Sequence, residues 1–163
     1  MKIVLIGFMG AGKTTVGRLL AKKLPIEYVD MDDLLLEKSG QSSINDIFDK
    51  DGELVFRELE IAVAKELQHR QNIVLATGGG VVMNKIILDY LGHDGVIVFL
   101  KTSYEESDKR ADKSTRPLFK DAAKAKELYN FRLPLYERYA EVIIETDRKT
   151  AEMVADEIVS LLS

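Results

Sequence analysis

The stretch Gly7-Phe8-Met9-Gly10-Ala11-Gly12-Lys13-Thr14 has the spacing G-x-x-x-x-G-K-[ST], which is built to hold phosphate groups. Its glycines let main-chain N–H groups close around phosphate oxygens. Lys13 is placed for the β- and γ-phosphates of a nucleotide, and the Thr14 hydroxyl for a magnesium ion. Asp30 and Asp32 stand in the next carboxylate run, Asp30-Met31-Asp32-Asp33. Read as extended chain, the two point to one side. Asp30 then serves magnesium, and Asp32 serves a substrate hydroxyl as base or orienter. The rival reading makes these acids a helix cap and first turn, and Asp33 is assigned that role.

Three arginines extend the set. Arg57 and Glu60 share a helical face, so Glu60 can steer the guanidinium toward bidentate capture of a carboxylate. A solvated surface pair is the plainer alternative. Arg116 precedes Pro117 in a charged irregular stretch, where a lid could bring it to a transferring phosphoryl group. Arg132 lies beside Pro134, where a proline is expected to break a helix. Thr77-Gly78-Gly79-Gly80 ends an apolar run and allows close approach of a ligand to backbone N–H groups. His69 and His93 read as surface residues.

These residues need a scaffold that delivers them to one edge. Apolar runs at Lys2–Ile6, Ile26–Val29, Ile73–Ala76, Val96–Leu100 and Val142–Ile144 read as strands. Helical periodicity follows the first, covers Asp32–Ser39 and Glu53–Arg70, and returns from about Thr150. A capping pattern at Ser43 and Asp46 opens a short helix that ends near Gly52. Alternating strands and helices predict a mainly parallel sheet covered on both faces. Such sheets bind ligands at their carboxyl edge.

The chain has 163 residues, which suits one domain over 1–163. Its net charge of −4 gives no basic field for nucleic acid or an anionic membrane. There is no cysteine, which excludes disulfides, thiolate metal sites and cysteine nucleophiles. The opening apolar run is too short for a signal peptide, and no stretch approaches the roughly 20 apolar residues of a membrane helix. The expectation is a cytoplasmic kinase acting on a small carboxylate-bearing alcohol.

The ordered motifs resemble the shikimate kinase family, in the nucleoside-monophosphate-kinase-like branch of P-loop proteins. They are G-F-M-G-A-G-K-T-T-V-G, D-M-D, G-E-x-x-F-R-x-x-E, G-G-G, R-P-L and R-L-P-L-Y. The resemblance spans nearly the whole chain. It implies a three-layer α/β sandwich with a five-stranded parallel sheet in the order 2-3-1-4-5. It also implies transfer of the ATP γ-phosphate to the 3-hydroxyl of shikimate with Mg²⁺, in aromatic amino-acid biosynthesis. A gluconate kinase or other small-metabolite kinase is the alternative.

Carried over by position, Gly10, Ala11, Gly12, Lys13, Thr14 and Thr15 hold ATP, and Thr14 and Asp30 serve the metal. Asp32 meets the reacting hydroxyl. Arg57 and Arg132 grip the shikimate carboxylate beside Gly78, Gly79 and Gly80. Lys13, Asp32 and Arg116 form the catalytic set. Arg110 is the adenine-stacking arginine, with a second adenine contact at Arg148 or its neighbour Lys149, assigned to Arg148. The substrate-binding segment is expected at about 31–60 and the lid at about 110–121. Two departures concern the lid: Arg110 to Arg116 is about one residue short of the family form, and Phe119 stands where a leucine is common. The expectation is a monomer with shikimate as its small-molecule partner and no nucleic-acid or membrane partner.

Overall fold

In the computed structural model, which describes residues 1–110 and 121–163, five parallel strands form one sheet. They are β1 (Lys2–Ile6), β2 (Glu27–Asp30), β3 (Ile73–Ala76), β4 (Val96–Lys101) and β5 (Val142–Glu145), in the order β2-β3-β1-β4-β5. The order expected from the family resemblance is the one observed. Arg116, Pro117, Phe119 and most of the expected lid lie outside the described residues.

β1 sits in the centre, and Ile3, Val4, Leu5 and Ile6 are fully buried. Their side chains alternate between two cores, because a strand has a period of two. Val4 and Ile6 join the core beneath α2 (Met31–Ser39), α4 (Glu53–Leu67), α5 (Lys85–Gly92) and α7 (Ala122–Tyr139). Ile3 and Leu5 join the core beneath α1 (Lys13–Lys23) and α8 (Ala151–Leu162). Being buried on both faces is what makes β1 a continuous apolar run. Two short helices, α3 (Ile44–Asp46) and α6 (Tyr104–Arg110), complete the α-helices among the described residues, beside a π-helical turn at Ile47–Asp51 and a 3-10 turn at Val81–Met83.

The parallel register brings the strand ends level. Leu5 pairs with Ala76, Asp30 also pairs with Ala76, and Ile6 pairs with Phe99. The segments after β1, β2 and β3 therefore leave side by side at the carboxyl edge.

Several local expectations need correction. Asp32 is not extended: α2 begins at Met31, directly after β2, so Asp32 lies in the first helical turn. The cap is Asp30 rather than Asp33, its Oδ1 accepting from the Asp32 N–H at 2.9 Å. The strand end and the helix cap are one residue, which left no room for an extended Asp30–Asp32 pair. α7 runs through Pro134 instead of breaking there. Proline removes the donor to the Asn130 carbonyl and crowds that oxygen, but both residues lie on an exposed face where the carbonyl can tilt outward to water. α4 stops at Leu67, short of Arg70, and α5 carries no prediction from the sequence reading.

Candidate active site

The loop between β1 and α1 takes conformations that its glycines permit. Gly10 and Gly12 have φ of 80° and 93°. A Cβ on Gly10 would stand 2.6 Å from the backbone oxygen of Ser107 on α6, so that position accepts no side chain without movement. α1 starts without a side-chain cap, whereas α2, α3, α5, α7 and α8 each have one. Its first N–H groups therefore lack an intrahelical partner, and no acid sits in its first turn. That is the arrangement of an anion site. Lys13 folds back on the loop, donating to the carbonyls of Gly7 at 2.5 Å and Phe8 at 3.0 Å.

A cavity of about 180 Å³ opens over this loop. Gly10 to Thr15 form one wall, Asp30 and Asp32 a second, and Thr77, Gly78 and Gly79 a third. The fold thus gathers the phosphate loop, both acids and the glycine turn into one space. Thr14, Asp30 and Asp32 offer only oxygen donors here, the set that a hard cation such as Mg²⁺ takes.

Asp30 is held at both oxygens. Its Oδ1 caps α2, and its Oδ2 accepts from the Tyr28 hydroxyl at 3.0 Å. Burial raises the Tyr28 phenol, and the neighbouring Thr14 and Arg18 oppose that rise. Tyr28 is absent from the residues expected from sequence. Its signal was there, since it precedes Asp30 by two on the same strand and shares its side.

Two guanidinium groups meet at the glycine turn. A Cβ on Gly80 would lie 3.0 Å from Nη1 of Arg57 and 3.3 Å from Nη2 of Arg132. Arg57 comes from α4 and donates to Glu60 Oε1 at 2.6 Å. That glutamate is 1% exposed. Burial pushes the Glu60 carboxyl above its ordinary range, and the Arg57 hydrogen bond opposes the push. Arg132 comes from α7 and is itself buried, with its Nε making no hydrogen bond. Burial lowers the Arg132 guanidinium, although arginine starts so high that it stays charged.

Tyr136 is a second residue that the sequence reading left without a role. It lies one helical turn beyond Arg132 on α7, 1% exposed, and donates to the Gly79 carbonyl at 2.6 Å. Its ring stacks on Phe99 of β4 at 5.0 Å. Burial drives its phenol far up, so it remains a hydrogen-bond donor. The i,i+4 spacing of Arg132 and Tyr136 was the legible clue. One buried and one half-buried cation against a turn with a fixed carbonyl can bind a small carboxylate.

Further along the loop a second cavity, of about 210 Å³, shares Ala11, Gly12 and Thr15 with the first. Arg110, Thr146 and Lys149 line it, with Arg110 Nη1 3.4 Å from the Thr146 hydroxyl. Of the two residues weighed for this region, the lining includes Lys149. Arg148 is exposed with φ of 61° and is not part of it.

A family model described as shikimate kinase matches residues 9–163. The shikimate kinase of Haemophilus influenzae (strain PittEE) is 39% identical over 165 residues, spanning 98% of this chain and 91% of that relative. That of Caldicellulosiruptor bescii is 42% identical over 163 residues, spanning 98% and 94%. Among solved structures, shikimate kinase from Acinetobacter baumannii in complex with shikimate superposes with a TM-score of 0.91 at 39% identity, covering 99% of this chain and 92% of that one. Shikimate kinase from Aquifex aeolicus superposes at 0.87 with 38% identity, covering 99% and 96%.

Proposed function

The chain belongs to the shikimate kinase family, and from that premise we propose how its own residues move the γ-phosphate of ATP to the 3-hydroxyl of shikimate. The observation that carries the reading is the meeting of Arg57 and Arg132 at Gly79–Gly80, next to the cavity that Asp32, Gly79 and the phosphate loop line.

The main-chain N–H groups of Gly10 to Thr15 and the Lys13 ammonium bind the phosphates, and the neighbouring cavity with Arg110 and Lys149 takes the adenosine. Arg57 and Arg132 clasp the shikimate carboxylate, and Gly79 and Gly80 add backbone contacts. This clasp fixes the ring so that one hydroxyl faces Asp32 and the γ-phosphate. Asp32 accepts the hydroxyl proton as the new oxygen–phosphorus bond forms. The bond between the γ-phosphorus and the β,γ-bridging oxygen breaks, and ADP leaves. Lys13 and the N-terminus of α1 stabilise charge on the transferring group.

Thr14 and Asp30 would hold magnesium, which when bound neutralises charge across the β- and γ-phosphates. Arg116 keeps the phosphate role that its sequence context suggests, within a lid at about 110–121, and 31–60 forms the substrate segment. The enzyme acts as a monomer in the cytoplasm. Among the described residues, no helix is long and apolar enough to cross a membrane.

A coupled assay of ADP release tests the reading. Turnover should require both Mg²⁺ and shikimate. No turnover with shikimate, beside good turnover with gluconate or a nucleotide, would overturn the acceptor.

A further inference from the structure

The chain has two histidines and no cysteine, so it owns only two side chains of the imidazole or thiolate kind that bind borderline transition metals. The fold brings both together. His69 follows the end of α4, His93 follows α5, and their rings meet edge to face at 5.1 Å. Asp94 adds a carboxylate, and one ligand atom from each of the three residues lies within 4.8 Å of the others.

We infer that His69, His93 and Asp94 form a surface binding site for a zinc-type divalent cation. The spacing supports this. Zinc–nitrogen and zinc–oxygen bonds are about 2.0–2.2 Å, so two ligands of a tetrahedral ion stand roughly 3.3–3.5 Å apart. His93 Nε2 and Asp94 Oδ2 are already 3.3 Å apart. Three protein ligands with water in the fourth position make a complete zinc shell.

The two turns are also tied to one another without an ion. The Gln71 side-chain amide donates to the Asp94 carbonyl at 3.0 Å. Asp94 has φ of 53°, a conformation that aspartate adopts more readily than most residues. Beneath the cluster, buried Lys2 donates to the Gln68 carbonyl at 2.7 Å and attracts the Asp94 carboxylate. The Lys2 charge would repel an ion here, which moderates its affinity.

The place in the fold separates this site from the reaction. Both turns precede a strand, β3 or β4, and so lie at the amino edge of the sheet. The phosphate loop and glycine turn lie at the carboxyl edge, and four strand residues span about 13 Å. The ion braces the turn before β3 against the turn before β4, and its effect is on stability rather than chemistry.

Zinc chloride titrated into tag-free full-length protein, followed by NMR of the histidine ring protons, tests the site. Both ring signals should shift together and level off at one zinc per chain. His93→Ala and Asp94→Asn should each weaken zinc binding at least tenfold and lose the zinc-dependent rise in the thermal midpoint, with kinase turnover unchanged. The residues are exposed, so both variants should fold. Ring signals that stay in place at stoichiometric zinc would overturn the site, as would variants that bind zinc as tightly as the parent.

Discussion

Replacing Arg57 by alanine removes two things at once, and the structure allows them to be separated. One is half of the carboxylate clasp. The other is the partner of Glu60, whose carboxylate sits 2.6 Å away with a side chain 2% exposed. Truncating one member of a buried charge pair at a binding site costs about 2–5 kcal/mol. Arg57 retains 25% of its side-chain exposure and Arg132 remains, so the lower end applies. About 2 kcal/mol is about a 30-fold rise in the shikimate KM. Breaking a buried ion pair costs the fold about 3–5 kcal/mol when the survivor stays charged. Glu60 has an easier route, because burial already raises its carboxyl and proton uptake would neutralise it. The stability loss should fall below that range. Arg57→Ala with Glu60→Gln removes the buried charge as well. Urea denaturation of the double variant should show most of the lost stability restored, while the shikimate KM stays high. An unchanged shikimate KM in Arg57→Ala would refute the clasp. If the double variant restored shikimate affinity, Arg57 would be acting only through the fold.

Asp32→Ala should lower kcat by about 10²–10⁴-fold, the usual worth of a general base, while ATP affinity measured by fluorescence titration changes little. Tyr136→Phe should leave the Gly79 carbonyl without its donor, at a cost of about 1–3 kcal/mol in urea denaturation. In the same variant the shikimate KM should rise more than kcat falls, because the turn is displaced and not the reacting groups. Glu60 also predicts a pH dependence. Its carboxyl is raised above 4.5, so in the window just above that value the folded chain keeps a proton that the unfolded chain has released. Stability should therefore fall as pH rises through the window, and Glu60→Gln should flatten that slope in a series of denaturation curves.

The phosphate loop was legible because its chemistry is local: a strand, a glycine-rich turn and a helix N-terminus are consecutive in the chain. The three inner strands were legible for a related reason, since burial on both faces writes a continuous apolar run such as Ile3–Ile6. Arg57 with Glu60 could be read from helical spacing alone. The sheet order came from the family resemblance, because strand order depends on contacts between segments far apart in sequence.

Tertiary structure decided which of these groups meet. Arg57 and Arg132 lie on α4 and α7, and only packing on one face of the sheet brings both against Gly80. The same packing revealed Tyr136 as the donor to Gly79. Asp30 shows the limit most plainly, because its sequence context fits either a metal ligand or a helix cap. The structure makes it the cap of α2 and also turns it into the phosphate cavity. Local sequence fixes what a side chain can do. Which of its neighbours it does it with is set by the register of strands and the docking of helices, which no local window contains.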